Sequence, residues 1–177
     1  MLPPLEAAWE FHTFLTARSI PYAILGGIAV QFWGESRVTR DLDLTVVVPP
    51  ERAEIVTEML LAQFVARIPD ALDFVRRKRV LLLSASNGVP VDVSLGLPGY
   101  EDDLMTRAVC VSIGQGREVR FCSPEDLVIH KALAGRAHDL RDIETVIARN
   151  RDRLDLHVRC PAPDPEPRFR WRNPYAT

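Results

Sequence analysis

Lysine is nearly absent from this chain: Lys78 and Lys131 stand against twenty arginines. The ratio decides nothing about function, but it makes a lysine inside a largely apolar segment, as Lys131 is, stand out. Cysteine is scarce as well. Cys110, Cys122 and Cys160 are odd in number and widely spaced, with no Cys-x-x-Cys or zinc-type pattern, so a disulfide framework and a zinc site are both excluded and the thiols read as reduced and structural. No apolar run reaches membrane-spanning length, and the first residues lack the basic, apolar and small-residue order of a signal peptide. The expectation is a cytoplasmic protein. Neither sign of charge dominates, the formal net charge being -2, so any RNA binding must come from a local basic patch rather than a global field. There is no Gly-x4-Gly-Lys-Ser/Thr loop, and Gly114-x-Gly116 lacks a third glycine and precedes a strand. A P-loop and a dinucleotide fingerprint are therefore excluded.

What is present suffices for one compact domain. At 177 residues and 47% hydrophobic, the chain can bury a core without staples. The pattern predicts a helix over 5–18 with Trp9, Phe11, Phe14 and Leu15 on its sheet-facing side, a strand over 22–25, a helix over 27–33 and a strand over 42–48. A helix over 51–63 follows. Next come a hairpin over 80–95 turning at Ser86-Asn87-Gly88 and another over 109–121 turning at Gly114-Gln115-Gly116. Ser123 as N-cap, Pro124 in the first turn, Asp126 three residues on and Gly135 as a stop define a further helix. A last helix, 136–148, carries Leu140, Ile143 and Ile147 on one face, which leaves Asp139 and Asp142 as helix-surface charges rather than ligands, or Asp139 as a group that orients Lys131 or Arg136. Strands in one sheet with helices segregated around them argue an α+β fold, a mixed sheet flanked by helices, rather than a doubly wound one. Residues 1–156 form the single domain. From 157 to 177 the composition shifts to a Pro/Arg-rich C-terminal arm, with alternating prolines and then Arg168-Phe169-Arg170-Trp171-Arg172. Such an arm either contacts RNA through arginine and stacked aromatics or packs its aromatics on the domain.

The chemistry concentrates in Leu25-Gly26-Gly27-Ile28 and Arg37-Val38-Thr39-Arg40-Asp41-Leu42-Asp43-Leu44. Residues i and i+2 of a strand share a face, so Asp41 and Asp43 point together while Leu42 and Leu44 face the other way. Side-by-side carboxylates repel, and one shifts its pKa upward unless a cation sits between them. A hard, oxygen-seeking ion such as Mg2+ supplies that cation. A third carboxylate, Asp92, occupies the polar face of Val89-Pro90-Val91-Asp92-Val93-Ser94-Leu95, and three carboxylates on two strands can hold a pair of ions about 4 Å apart. Gly26 and Gly27 let the backbone approach a phosphate, and the helix opening behind them presents free N–H groups and a positive dipole end. Arg37 and Arg40 offer guanidinium forks to phosphate, or pair with Asp41 or Glu35. Lys131 suggests an anion partner, against the plainer reading of a side chain snorkelling from a half-buried helix. His130 and His138 have no third ligand and read as structural.

Tyr22 to Leu25, Gly26-Gly27, Asp41/Asp43 and Asp92, in this order, resemble the nucleotidyltransferase superfamily that includes DNA polymerase beta and antibiotic nucleotidyltransferases. The resemblance spans about Pro21 to Ala148. The Arg-x-Thr-x-Asp-x-Asp form and Lys131 with Arg136 and Asp139 look most like its minimal and abortive-infection toxin branches. What the resemblance implies is metal-dependent transfer of a nucleoside monophosphate from a nucleoside triphosphate to an acceptor hydroxyl. Asp41, Asp43 and Asp92 would be the catalytic and Mg2+- or Mn2+-binding residues, and Asp92 the general base. Gly26, Gly27, Arg37, Thr39, Arg40, Lys131 and Arg136 would bind the nucleotide. The chain departs from many such proteins at Gly27, where a serine hydroxyl is often found. The implied acceptor is a tRNA or a partner protein, with an antibiotic as an alternative. Another alternative is a catalytically silent nucleotide- or partner-binding module on the same fold.

Overall fold

The protein's computed structural model describes residues 2–155; the expected arm over 157–177 and Cys160 lie outside the described residues. Pro3 and Pro4 open the first helix, α1 (Pro3–Ala17), which buries Ala7, Ala8, Phe11, Phe14 and Leu15 along one stripe. Then come β1 (Tyr22–Ile24), α2 (Gly26–Trp33), β2 (Leu42–Val47), a 3-10 turn over Pro50–Arg52, α3 (Ala53–Gln63), β3 (Val65–Ala66) and α4 (Ala71–Lys78). β4 (Val80–Ser84) and β5 (Pro90–Gly96) form the first expected hairpin. After α5 (Tyr100–Arg107), β6 (Val109–Gly114) and β7 (Arg117–Phe121) form the second, and α6 (Pro124–Ala134) and α7 (Ala137–Asn150) close the described chain.

The strands make one mixed sheet in the order β3-β4-β5-β2-β1-β7-β6. β2 sits near its centre, antiparallel to β1 and parallel to β5, and its Leu42, Leu44 and Val46 are fully buried. The α+β expectation holds: seven helices flank one seven-stranded sheet among the described residues.

Three short elements, β3, α4 and α5, carry no predicted counterpart. For α5 the signal is local: Gly99, at φ +120°, precedes Glu101, Asp102 and Asp103 in the first turn, and the Asp102 carboxylate accepts the Gly99 N–H at 2.9 Å. At the start of α6, Ser123 accepts the Asp126 N–H at 3.2 Å, and Gly135 ends the helix at φ +63°. Asp126 does more than open the helix. Fully buried, its carboxylate accepts from the Tyr100 hydroxyl at 2.8 Å and from both forks of Arg107 at 2.9 and 2.6 Å.

α7 corrects the sequence reading. Asp139 and Asp142 are buried, at 0% and 5% exposure, whereas Leu140 is 61% and Ile147 40% exposed. The helix is turned so that its carboxylates meet cations from α6 and the α2–β2 loop, which leaves Leu140 and Ile147 outside, Ile143 half-buried and Val146 buried. Charge pairing has overridden the hydrophobic period. Leu140→Gln is accordingly expected to change unfolding free energy by less than about 0.5 kcal/mol, while Asp139→Ala costs about 1.5–3 kcal/mol by removing one of the two carboxylates that offset the buried Lys131 ammonium. Urea denaturation of the two variants checks this inversion.

Candidate active site

β2 and β5 run parallel and in register, with Asp43 opposite Asp92, so both carboxylates leave the same face of the sheet. Asp41 lies just before β2, exposed, and accepts the Thr39 hydroxyl at 2.7 Å. β1 flanks β2 on its other side, and the Leu25 N–H donates to the Asp43 carbonyl at 2.9 Å. The chain then turns at Gly26, φ +63°, directly into α2. A Cβ built on Gly26 would overlap the Asp43 carboxylate. Glycine is thus required there twice, for the backbone angle and for the carboxylate lying over the first turn of the helix.

At Gly27 a Cβ would fall 2.9 Å from Thr39 Cβ and into the Thr39 hydroxyl. The space a serine would fill at this helix start is occupied by a hydroxyl from the 36–40 loop, the same one that holds Asp41.

Asp43 is pushed up to about 6, first by burial, then by the neighbouring charges of Asp41 and Asp92, against the opposing pull of Lys131 and Arg136. Asp43, Lys131 and Arg136 share a cavity of about 190 Å³, lined also by Gly26, Ser94 and His130, which neither Asp41 nor Asp92 lines. Lys131 does not snorkel. It is 5% exposed, and its ammonium donates to Asp139 and sits against Asp142, both at 2.8 Å. Arg136 reaches Asp139 at 2.7 Å, and Arg37 grips Asp142 with two bonds at 3.0 and 3.1 Å, rather than pairing with Asp41 or Glu35. Burial opposes ionisation of Asp139 and Asp142, yet these cations outweigh it and hold both carboxyls below their usual range. Arg40, by contrast, is exposed and has no ion pair among the described residues.

Two participants escaped the sequence. Arg67, just after β3, contacts the Asp92 carboxylate through its guanidinium. A lone arginine after a two-residue strand carries no pattern that marks it. His130, read as structural, lines the cavity; burial lowers its pKa and its Nε2 is enclosed without a hydrogen-bond partner among the described residues.

Among the described residues no three His, Cys, Asp or Glu side chains converge tightly enough to enclose one ion, Asp41 being engaged by Thr39 and Asp92 by Arg67. The donor chemistry nevertheless suits a hard divalent cation. Three carboxylates are gathered at the start of the central strands β2 and β5, and Asp43 is disfavoured as an anion until positive charge offsets its neighbours.

That frustration has a measurable sign. Because Asp43 retains its proton to higher pH in the folded state than in the unfolded chain, its contribution to stability is neutral below about pH 4 and falls as pH rises to about 6. Above that, the metal-free fold carries a penalty of about 2–3 kcal/mol, from a shift of about two units. Asp43→Asn should therefore raise the melting temperature by roughly 5 °C at pH 7.5 and hardly at all at pH 4, as thermal scans in chelator would show.

No family model matches the chain, and no curated protein matches it. Solved structures do. An antigenic nucleotidyltransferase-like protein from Paracoccidioides brasiliensis aligns with a TM-score of 0.57 and 23% identity over 82% of this chain and 75% of that one. A proposed nucleotidyltransferase from Thermotoga maritima aligns with a TM-score of 0.53 and 15% identity over 84% of this chain and 96% of that one. At these identities the likeness is one of architecture: the mixed sheet and its flanking helices have the nucleotidyltransferase-like fold.

Proposed function

We propose that the chain is a nucleotidyltransferase, moving a nucleoside monophosphate from a nucleoside triphosphate to an acceptor hydroxyl with the help of Mg2+ or Mn2+. The observation that carries this reading is the in-register pairing of Asp43 with Asp92 beside a glycine-opened helix start. Asp41, Asp43 and Asp92 would hold the metal. Bound there, it would neutralise charge on the triphosphate and lower the pKa of the attacking hydroxyl. The chain's own groups do the rest. Free N–H groups at the start of α2 face the phosphates, and Lys131 and Arg136 place positive charge across the cavity. Asp92, held in place by Arg67, takes the hydroxyl proton. The acceptor oxygen bonds to the α-phosphorus, the bond from that phosphorus to the bridging oxygen breaks, and pyrophosphate leaves.

A second reading has its own support. Three of the proposed ligand groups already have partners: Asp41 has Thr39, Asp92 has Arg67, and Lys131 has two carboxylates. A site so satisfied suits a silent nucleotide-binding module.

The two readings separate in one experiment. The protein is incubated with Mg2+, each α-labelled nucleoside triphosphate and a lysate, then resolved into RNA, protein and small-molecule fractions beside Asp43→Ala. Label in one fraction, lowered at least about 100-fold by the substitution, is the expected outcome for the enzyme. A nucleotide-dependent rise in melting temperature with no label in any fraction selects the silent module.

A further inference from the structure

Among the described residues, one cation is paired with a carboxylate of the proposed metal set, and it is Arg67. Asp41 accepts a neutral hydroxyl from Thr39, Asp43 forms no ion pair there, and Asp92 is met by the Arg67 guanidinium. The pairing follows from a row of residues across the sheet. The Arg67 N–H donates to the Leu82 carbonyl at 2.9 Å, Leu82 stands opposite Asp92 on β5, and Asp92 stands opposite Asp43 on β2. Arg67 therefore reaches Asp92 from two strands away, a span of roughly 10 Å between backbones. It does so from beside β3, the outermost strand of the sheet on that side.

The cations near the three carboxylates differ in kind. Lys131 is buried and committed to Asp139 and Asp142, which are buried as well. The side chains of Arg67 and Asp92 are 31% and 42% exposed, and a single guanidinium nitrogen meets a single carboxylate oxygen. An exposed ion pair of this kind contributes little to stability. An ionised carboxylate offers about four lone-pair sites on its two oxygens, so Asp92 can accept a second partner while Arg67 stays. When that partner is a divalent cation, it meets the like charge of the guanidinium.

Resting on the nucleotidyltransferase reading, in which Asp41, Asp43 and Asp92 hold a divalent ion, we infer that Arg67 is a tethered cation that competes for Asp92 and limits how tightly the carboxylates hold that ion. It keeps the Asp92 carboxylate in place in the metal-free protein, and its charge sets a ceiling on divalent affinity. A residue that only positioned Asp92 would act in the opposite direction, since its loss would loosen a ligand. The sign of the change in metal affinity therefore separates the two roles.

Mn2+ alone is the probe, titrated into the full chain with the unbound ion followed by its electron paramagnetic resonance signal. Arg67→Gln should tighten Mn2+ binding about fivefold, the factor that corresponds to an exposed pair at the upper end of its range. Arg67→Lys keeps the charge and should stay within about twofold of the unaltered chain. Arg77→Gln makes the same change in net charge at an exposed pair with Asp70, and it too should stay within about twofold. Mn2+ affinity that is unchanged or weaker in Arg67→Gln overturns the inference. So does an equal gain in Arg77→Gln, or no uptake of Mn2+ by any form of the chain. The lysate assay tests the underlying reading separately: absence of label from every fraction overturns the nucleotidyltransferase reading, while the Mn2+ titration still decides the role of Arg67.

Discussion

The position of the Asp43 carboxylate over the first turn of α2 is the constraint on which the rest of the site depends. β2 is hydrogen-bonded on both sides, to β1 and to β5, so Asp43 cannot retreat along or out of the sheet. Its neighbour across β5 is a second carboxylate, and the turn from β1 brings Gly26 directly against it. Any side chain at Gly26 would have to displace Asp43 or the helix. The sheet register, the glycine turn and the direction of α2 therefore form one arrangement, whose consequence is an acid that ionises reluctantly next to a helix start that attracts anions.

The second organising element is the set of charges joining α6, α7 and the α2–β2 loop, buried at Lys131, Asp139 and Asp142. Arg37, Asp142, Lys131, Asp139 and Arg136 form a continuous chain of ion pairs. Burying such charges is costly, and a packed apolar cluster of the same volume would serve stability equally well. What the charged chain does that an apolar one cannot is place an ammonium and a guanidinium at the wall of the cavity opposite Asp43, while anchoring the loop that carries Thr39 and Asp41. Exposure of Leu140 and Ile147 is the counterpart: α7 satisfies its carboxylates first and leaves these apolar side chains outside.

Much of the scaffold was legible in the sequence because its signals are local. Alternating valines marked β5, Ser-Asn-Gly and Gly-Gln-Gly marked both hairpin turns, and Ser123-Pro124 with Gly135 bracketed α6. The order of glycines and carboxylates pointed to one site, and the structure sets Asp43 and Asp92 side by side on β2 and β5, in register. What was not legible depends on pairing between distant segments. The contact of Arg67 with Asp92 spans 25 residues and that of Arg37 with Asp142 spans 105, and neither leaves a periodic trace. The period of α7 was misread for the same reason, since Asp139 and Asp142 are core residues only because Lys131, Arg136 and Arg37 reach them.

Thr39 ties these layers together. Its side chain occupies the space left by the missing one at Gly27, its hydroxyl fixes Asp41, and it lines the cavity of about 470 Å³ bounded by the start of α1 and by Ile28. Gly27 and Thr39 are sterically exclusive: a side chain can stand at one place or the other, but not at both. The absence of a hydroxyl on the helix is thus matched by a hydroxyl from the loop, and the loop's own position is set by Arg37 on Asp142. Geometry at the carboxylate edge is therefore conditional on the buried charges of α7, although no residue of that helix lines either cavity.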